Sequence, residues 1–111
     1  NMMYGIDETF DGVLYIGYHA PAGDPEFAIS HTSTGNSLYI HLNGKVMSEC
    51  MLNSYTAASK GVPVLFLSGD EKICRLAKEL VPGMQKVDTF TNKLETDQWM
   101  DVVTAHCFVV Y

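Results

Sequence analysis

The chain has 111 residues, a net charge of −6, and 47% hydrophobic against 18% charged residues. That size suits one globular domain and excludes two independent cores, while the balance excludes a disordered chain. Seven Lys plus Arg against thirteen Asp plus Glu argue against nucleic acid as a partner, and no apolar run reaches the ~18–20 residues that span a bilayer.

No membrane association is therefore expected. The opening Asn-Met-Met-Tyr-Gly-Ile-Asp has neither a basic start nor an apolar stretch, so no secretory signal is read. Cys50, Cys74 and Cys107 are odd in number and widely spaced, without a C-x-x-C pair. These features predict a cytoplasmic protein whose three thiols stay reduced and pack as small hydrophobes.

In chain order, residues 12–18 are almost continuously apolar and predict a strand covered on both faces. Pro21, Gly23 and Pro25 then force a loop. Residues 26–37, rich in Ser, Thr, Gly and Asn, read as a functional loop. Residues 37–42 alternate, placing Leu38, Ile40 and Leu42 on one strand face, and Asn43-Gly44 predicts a tight turn.

A helix is expected over 48–60, with Met51, Leu52, Tyr55 and Ala58 as its apolar stripe and Gly61 as its stop. Residues 62–67 predict a second buried strand. Ser68 and Glu71 have capping-box spacing and open a helix to Leu80, striped by Ile73, Leu76, Ala77 and Leu80. Val81-Pro82-Gly83 ends it. Further on, residues 96–105 suggest a short helix around Trp99 and Val102, and 107–111 have strand composition. Strands and helices alternating through short links predict an α/β fold in one domain over 1–111: a layered, mostly parallel sheet with flanking helices.

His19 directly follows the first strand, where α/β folds gather ligands and catalytic groups. His31 lies in the irregular loop, and Glu49 opens a helix, where the dipole favours a carboxylate anyway. Each also reads as an ordinary side chain of its segment, and His41 as structural or solvent-facing. His19 and Glu49 are suitable zinc ligands, but two protein ligands do not hold a zinc alone. Standard motifs such as HExxH or G-x-S-x-G are missing. The residues alone point to a site and name no reaction.

Four segments in register resemble the zinc-dependent D-aminopeptidases of the DppA type. They are Phe10-Asp-Gly-Val-Leu-Tyr-Ile-Gly-Tyr-His-Ala20, Ile29-Ser-His-Thr32, Asn43-Gly-Lys-Val-Met-Ser-Glu49 with Met51-Leu-Asn53, and Gly61-Val-Pro-Val-Leu-Phe-Leu-Ser-Gly-Asp70. The resemblance covers about residues 7–82, with steps of twelve from His19 to His31 and eighteen from His31 to Glu49. It implies that His19 and Glu49 are zinc ligands and that His31 is the catalytic residue. Asn53, Gly69 and Asp70 match positions around the site, without an assigned role.

The implied activity is release of N-terminal D-amino acids from short peptides by a homo-oligomer that uses two zinc ions. The Asp-x-Glu motif and the further histidine of the family have no counterpart here. The resemblance therefore implies an incomplete version of a larger α/β fold with part of the metal site elsewhere. The alternative is a non-catalytic fragment or degenerate relative that serves in binding or assembly. Residues 86–111 follow no family pattern.

Overall fold

The computed structural model describes residues 2–81 and, as backbone, residues 85–90. The helix expected over 96–105, the strand expected over 107–111 and Cys107 lie outside the described residues. The elements in order are β1 (Val13–Tyr18), the hairpin strands β2 (His41–Leu42) and β3 (Lys45–Val46), α1 (Glu49–Ser59), β4 (Val64–Asp70), α2 (Glu71–Leu80) and β5 (Gln85–Phe90). Strands β1, β4 and β5 form a parallel sheet in the order β1-β4-β5. The protein is thus α/β, with a parallel sheet and flanking helices. No helix among the described residues is long and apolar enough to cross a membrane.

Two crossovers, β1-α1-β4 and β4-α2-β5, step across the sheet in one direction. Right-handed crossovers of that kind lay both helices on the same face, and α1 touches α2, β1 and β4. Between helices and sheet lies the core, built from Tyr15, Leu67, Cys50, Ala57, Ile73, Cys74 and Ala77. The opposite face of β1 is open: Leu14 is 49% and Ile16 50% exposed, while Tyr15 is buried. The expectation of a strand covered on both faces therefore fails, because both helices occupy one side and no described element occupies the other.

Helix α1 begins as expected, with Ser48 as its cap accepting a bond from the Met51 amide at 3.2 Å. Its buried face differs from the expected stripe. Cys50, Ser54 and Ala57 face the core, whereas Tyr55 and Ala58 are exposed and Met51 and Leu52 are only partly covered. Small side chains bring the helix close to the sheet. Ser54 also gives the buried Tyr15 hydroxyl a polar partner at 3.4 Å, which a larger apolar residue would deny it.

The capping box is likewise replaced. Strand β4 starts after Pro63, which has no N–H to give a ladder, and runs on to Asp70. Asp70 caps α2 by accepting from the Ile73 amide at 2.8 Å. Ser68 stays in the strand and accepts from the Gly17 amide at 3.1 Å. The stripe of α2 holds in part, with Ile73 and Ala77 buried and Leu76 packed at the core's edge.

Of the alternating segment 37–42, only His41 and Leu42 pair, with Val46 and Lys45. Asn43 and Gly44 both have positive φ, 51° and 78°, the type I′ geometry of a two-residue hairpin. The expected apolar face is not buried: Leu38 is 79% exposed, and its strand is too short to lean on the core. Strand β5 was not expected at all.

Burial pushes the Cys50 thiol from 9.0 up to about 11 and the Tyr15 hydroxyl from 10.0 up to about 12. Both groups are held neutral in the fold, so the stability they contribute is complete below pH 9.0 and drains as pH climbs toward those values. Brief iodoacetamide treatment at pH 8 should leave the Cys50 peptide unmodified by mass spectrometry until denaturant is added. Rapid labelling of the folded chain at Cys50 would contradict this burial.

Candidate metal centre

The site forms where β1 leaves the sheet. Tyr15 pairs with Leu67 and Tyr18 with Gly69, so two β1 residues, Ile16 and Gly17, oppose the single residue Ser68. Gly17 absorbs this bulge with φ of 70°, a conformation that glycine adopts without steric cost. The bulge turns Tyr18 and His19 toward the carboxyl end of the sheet. At Gly69 a Cβ would strike the Tyr18 carbonyl oxygen and the Ile73 Cγ2, so the two strands can meet only over a glycine.

The chain after His19 is fastened to α2. Asp70 Oδ2 accepts from the Ala20 amide at 2.6 Å, while its other oxygen caps the helix. Burial pushes the Asp70 carboxyl upward, and the bonds from the Ile73 and Ala20 amides pull the other way. Lys72 on α2 also meets the nearly buried Asp24 at 3.1 Å, holding the far end of the same loop. The Tyr18 hydroxyl accepts from Asn53 Nδ2 on α1 at 2.8 Å, and burial pushes its pKa upward, disfavouring the charged form.

His19, His31 and Glu49, separated by up to thirty residues, converge here. His19 Nε2 lies 3.1 Å and His31 Nε2 3.4 Å from the same oxygen, Glu49 Oε2. The two imidazoles stack with centroids 3.8 Å apart. His19 and Glu49 are largely covered, with side chains 11% and 14% exposed, whereas His31 is 43% exposed. His41 stands apart, exposed on the hairpin beside Tyr39.

The ring bonds settle how these groups face each other. His19 Nδ1 sits 3.0 Å from the Ala20 carbonyl oxygen and His31 Nδ1 2.8 Å from that of Ile29. A carbonyl oxygen only accepts, so each Nδ1 donates to its carbonyl, and each ring turns its Nε2 toward Glu49. Two Nε2 atoms around one carboxylate oxygen can be held together by protons or by a metal cation.

The geometry suits a cation. One ligand atom from each residue lies within 4.8 Å of the other two. Ligands at zinc distances of about 2.0–2.2 Å in a tetrahedron stand roughly 3.3–3.6 Å apart, close to the two separations to Glu49. Each Nδ1–H is oriented by a carbonyl, as in the outer shell of metal-bound histidines. A cleft of about 270 Å³ opens above the group, lined also by Tyr18, Ile16 and Met2.

The three residues singled out in the sequence are therefore brought together. Asp70 and Thr32 stand in the sequence within matching segments and without a role: a threonine in a polar loop carries no sign that it is buried. The resemblance to known peptidases is borne out by comparison. The pattern of the D-aminopeptidase family matches residues 1–102. A curated D-aminopeptidase from Bacillus subtilis (strain 168) is 37% identical over 84 residues, which is 76% of this chain and 30% of that protein. A solved structure of the zinc-dependent D-aminopeptidase DppA from Bacillus subtilis, described as a self-compartmentalizing protease, superposes with a TM-score of 0.72 at 35% identity. It covers 79% of this chain and 32% of its own, so the present chain spans about a third of the length of these relatives. With the family pattern matched along nearly its whole length, this chain belongs to the D-aminopeptidase family.

Proposed function

We propose that this chain carries part of the centre of a zinc-dependent D-aminopeptidase, with His19 and Glu49 as metal ligands and His31 as the catalytic residue. The observation that carries the reading is the convergence of one ligand atom each from His19, His31 and Glu49 within 4.8 Å. His19 and Glu49 are two ligands, fewer than one zinc needs, so the remaining ligands would come from outside the described residues. Bound there, zinc supplies a Lewis acid for a peptide carbonyl and lowers the pKa of a water toward neutrality.

The chain's own groups do the rest. His19, held at Nδ1 by the Ala20 carbonyl, and the largely covered Glu49 would hold the metal and resist displacement by solvent. His31, the most exposed of the three, presents Nε2 at the cleft, while its bond to the Ile29 carbonyl holds the ring. From there Nε2 can take a proton from the attacking water and then pass it to the leaving amine, or hold it toward a developing oxyanion. The cleft is small for a ligand site, which suits the terminal residue of a short D-amino-acid peptide. A homo-oligomer in the cytoplasm is the setting we assign, in keeping with the self-compartmentalizing relative and with Cys50 remaining a buried thiol.

The test is zinc per chain by mass spectrometry, together with release of D-alanine from D-Ala-D-Ala by the full gene product. His19→Ala should lose zinc and activity together, and His31→Ala should lose activity while retaining most zinc. Zinc content unchanged by His19→Ala would overturn the ligand assignment. Full zinc loading without any peptide hydrolysis would favour a non-catalytic scaffold.

A further inference from the structure

The three site residues arrive on separate segments, and a single buried hydroxyl joins all of them. Thr32, next to His31, is 0% exposed. Its Oγ1 donates to the Met47 carbonyl oxygen at 3.0 Å and accepts from the Ala22 amide at 3.0 Å. Met47 stands two residues before Glu49, and Ala22 three residues after His19. A hydroxyl offers one donor hydrogen and two acceptor lone pairs, so this one spends its donor on the Glu49 segment and an acceptor on the His19 segment. Ala22 and Met47 are themselves buried, so neither backbone group has water as a ready substitute.

The backbone around Thr32 is held under tension. The Thr34 amide bonds back to the Thr32 carbonyl at 2.7 Å, and between them Ser33 takes φ of 61°. A serine in that region costs roughly 1–3 kcal/mol and persists only where its surroundings over-determine it. The buried hydroxyl supplies such a constraint at the residue between His31 and the turn.

We infer that Thr32 is the positioning residue of the centre, its hydroxyl setting the separation of His19, His31 and Glu49. The consequence for metal binding rests on the proposed function; the consequence for the geometry does not. Thr32→Val keeps the side-chain shape and removes the hydroxyl, whereas Thr32→Ser keeps the hydroxyl and removes a methyl group.

The experiment uses the full gene product and two readouts. Imidazole NMR signals of His19 and His31 in the metal-free protein report ring placement, and competition with a zinc-selective chelator reports affinity. Thr32→Val should displace both sets of imidazole signals and weaken zinc binding by about tenfold to a hundredfold, the range for groups that orient metal ligands. Thr32→Ser should leave the signals in place and restore zinc affinity to nearly that of the parent protein. Unmoved imidazole signals in the Val variant would overturn the inference, even if its melting temperature fell. Displaced signals in the Ser variant would overturn it as well, and that arm stands should the Val variant not fold. If the Val variant moves the rings while His19→Ala leaves zinc affinity intact, positioning by Thr32 survives and the metal reading fails.

Discussion

Glu49→Ala is expected to abolish metal binding and peptide hydrolysis while leaving the fold in place. Among the described residues the carboxylate is the one anionic group that meets both imidazoles, with His19 and His31 Nε2 at 3.1 and 3.4 Å from the same oxygen. Without it the described residues leave two stacked rings with no carboxylate in contact with both to balance a divalent cation. Loss of one of the two proposed zinc ligands should weaken affinity by on the order of a hundredfold or more. A loss of about 4 kcal/mol in transition-state stabilisation would lower the rate by roughly 10³-fold. Helix α1 should survive, because its start is held by the Ser48 hydroxyl rather than by Glu49. Circular dichroism and zinc titration together check both halves. Glu49→Gln keeps the size and loses the charge, and should fail at zinc binding almost as severely.

Asp70→Ala should have the largest effect on stability. Its carboxylate caps α2 and also accepts from the buried Ala20 amide. Losing a helix cap costs about 1 kcal/mol, and orphaning a buried amide costs about 1–3 kcal/mol. The sum, about 2–4 kcal/mol, would lower the melting temperature of a chain this size by roughly 8–16 °C.

Part of that cost is offset, since burial raises the Asp70 carboxyl and so disfavours its charged form. The sign follows from linkage. A carboxyl raised on folding contributes stability that is full below its unfolded value of 3.8 and is lost as pH rises through the folded value. Asp70→Asn, which keeps one acceptor oxygen and never ionises, should therefore cost less than Asp70→Ala and lose that pH dependence. Thermal melts of both variants from pH 3 to 7 test this. An Asn variant as unstable as the Ala variant would show that the second acceptor, rather than the cap, dominates.

Much of the site was legible because its residues sit at punctuation points. His19 follows a strand that ends in prolines, and Glu49 follows an Asn-Gly turn and a serine cap. Both positions are marked by local chemistry that survives in the fold. What the sequence concealed depends on burial. Cys50, Ser54 and Ala57 face the core because helix and sheet lie close together, and hydrophobicity alone selects Met51 and Tyr55 instead.

Asp70 displaced the Ser68 cap because Ser68 is held in β4 by the Gly17 amide, a contact fifty-one residues away in sequence. Thr32 escaped notice for the same reason: its partners are Ala22 and Met47, and nothing local distinguishes it from the other polar residues of its loop. The strand β5 follows Gly83 with Lys-Val-Asp-Thr-Phe, an alternation that is a strand signal too short to stand out without the β4 edge to pair with. Leu14 and Ile16 read as core because the strand is apolar throughout, yet both crossovers left their face open.

The central claim is that one oxygen of Glu49 and the Nε2 atoms of His19 and His31 surround a metal position. Anomalous diffraction at the zinc absorption edge, from crystals of the full gene product grown with zinc, tests it most directly. The account predicts a peak about 2.0–2.2 Å from His19 Nε2 and from a Glu49 oxygen, with each Nδ1 still turned to its backbone carbonyl. A zinc peak elsewhere in the molecule, with these three side chains converged around no metal, would contradict it.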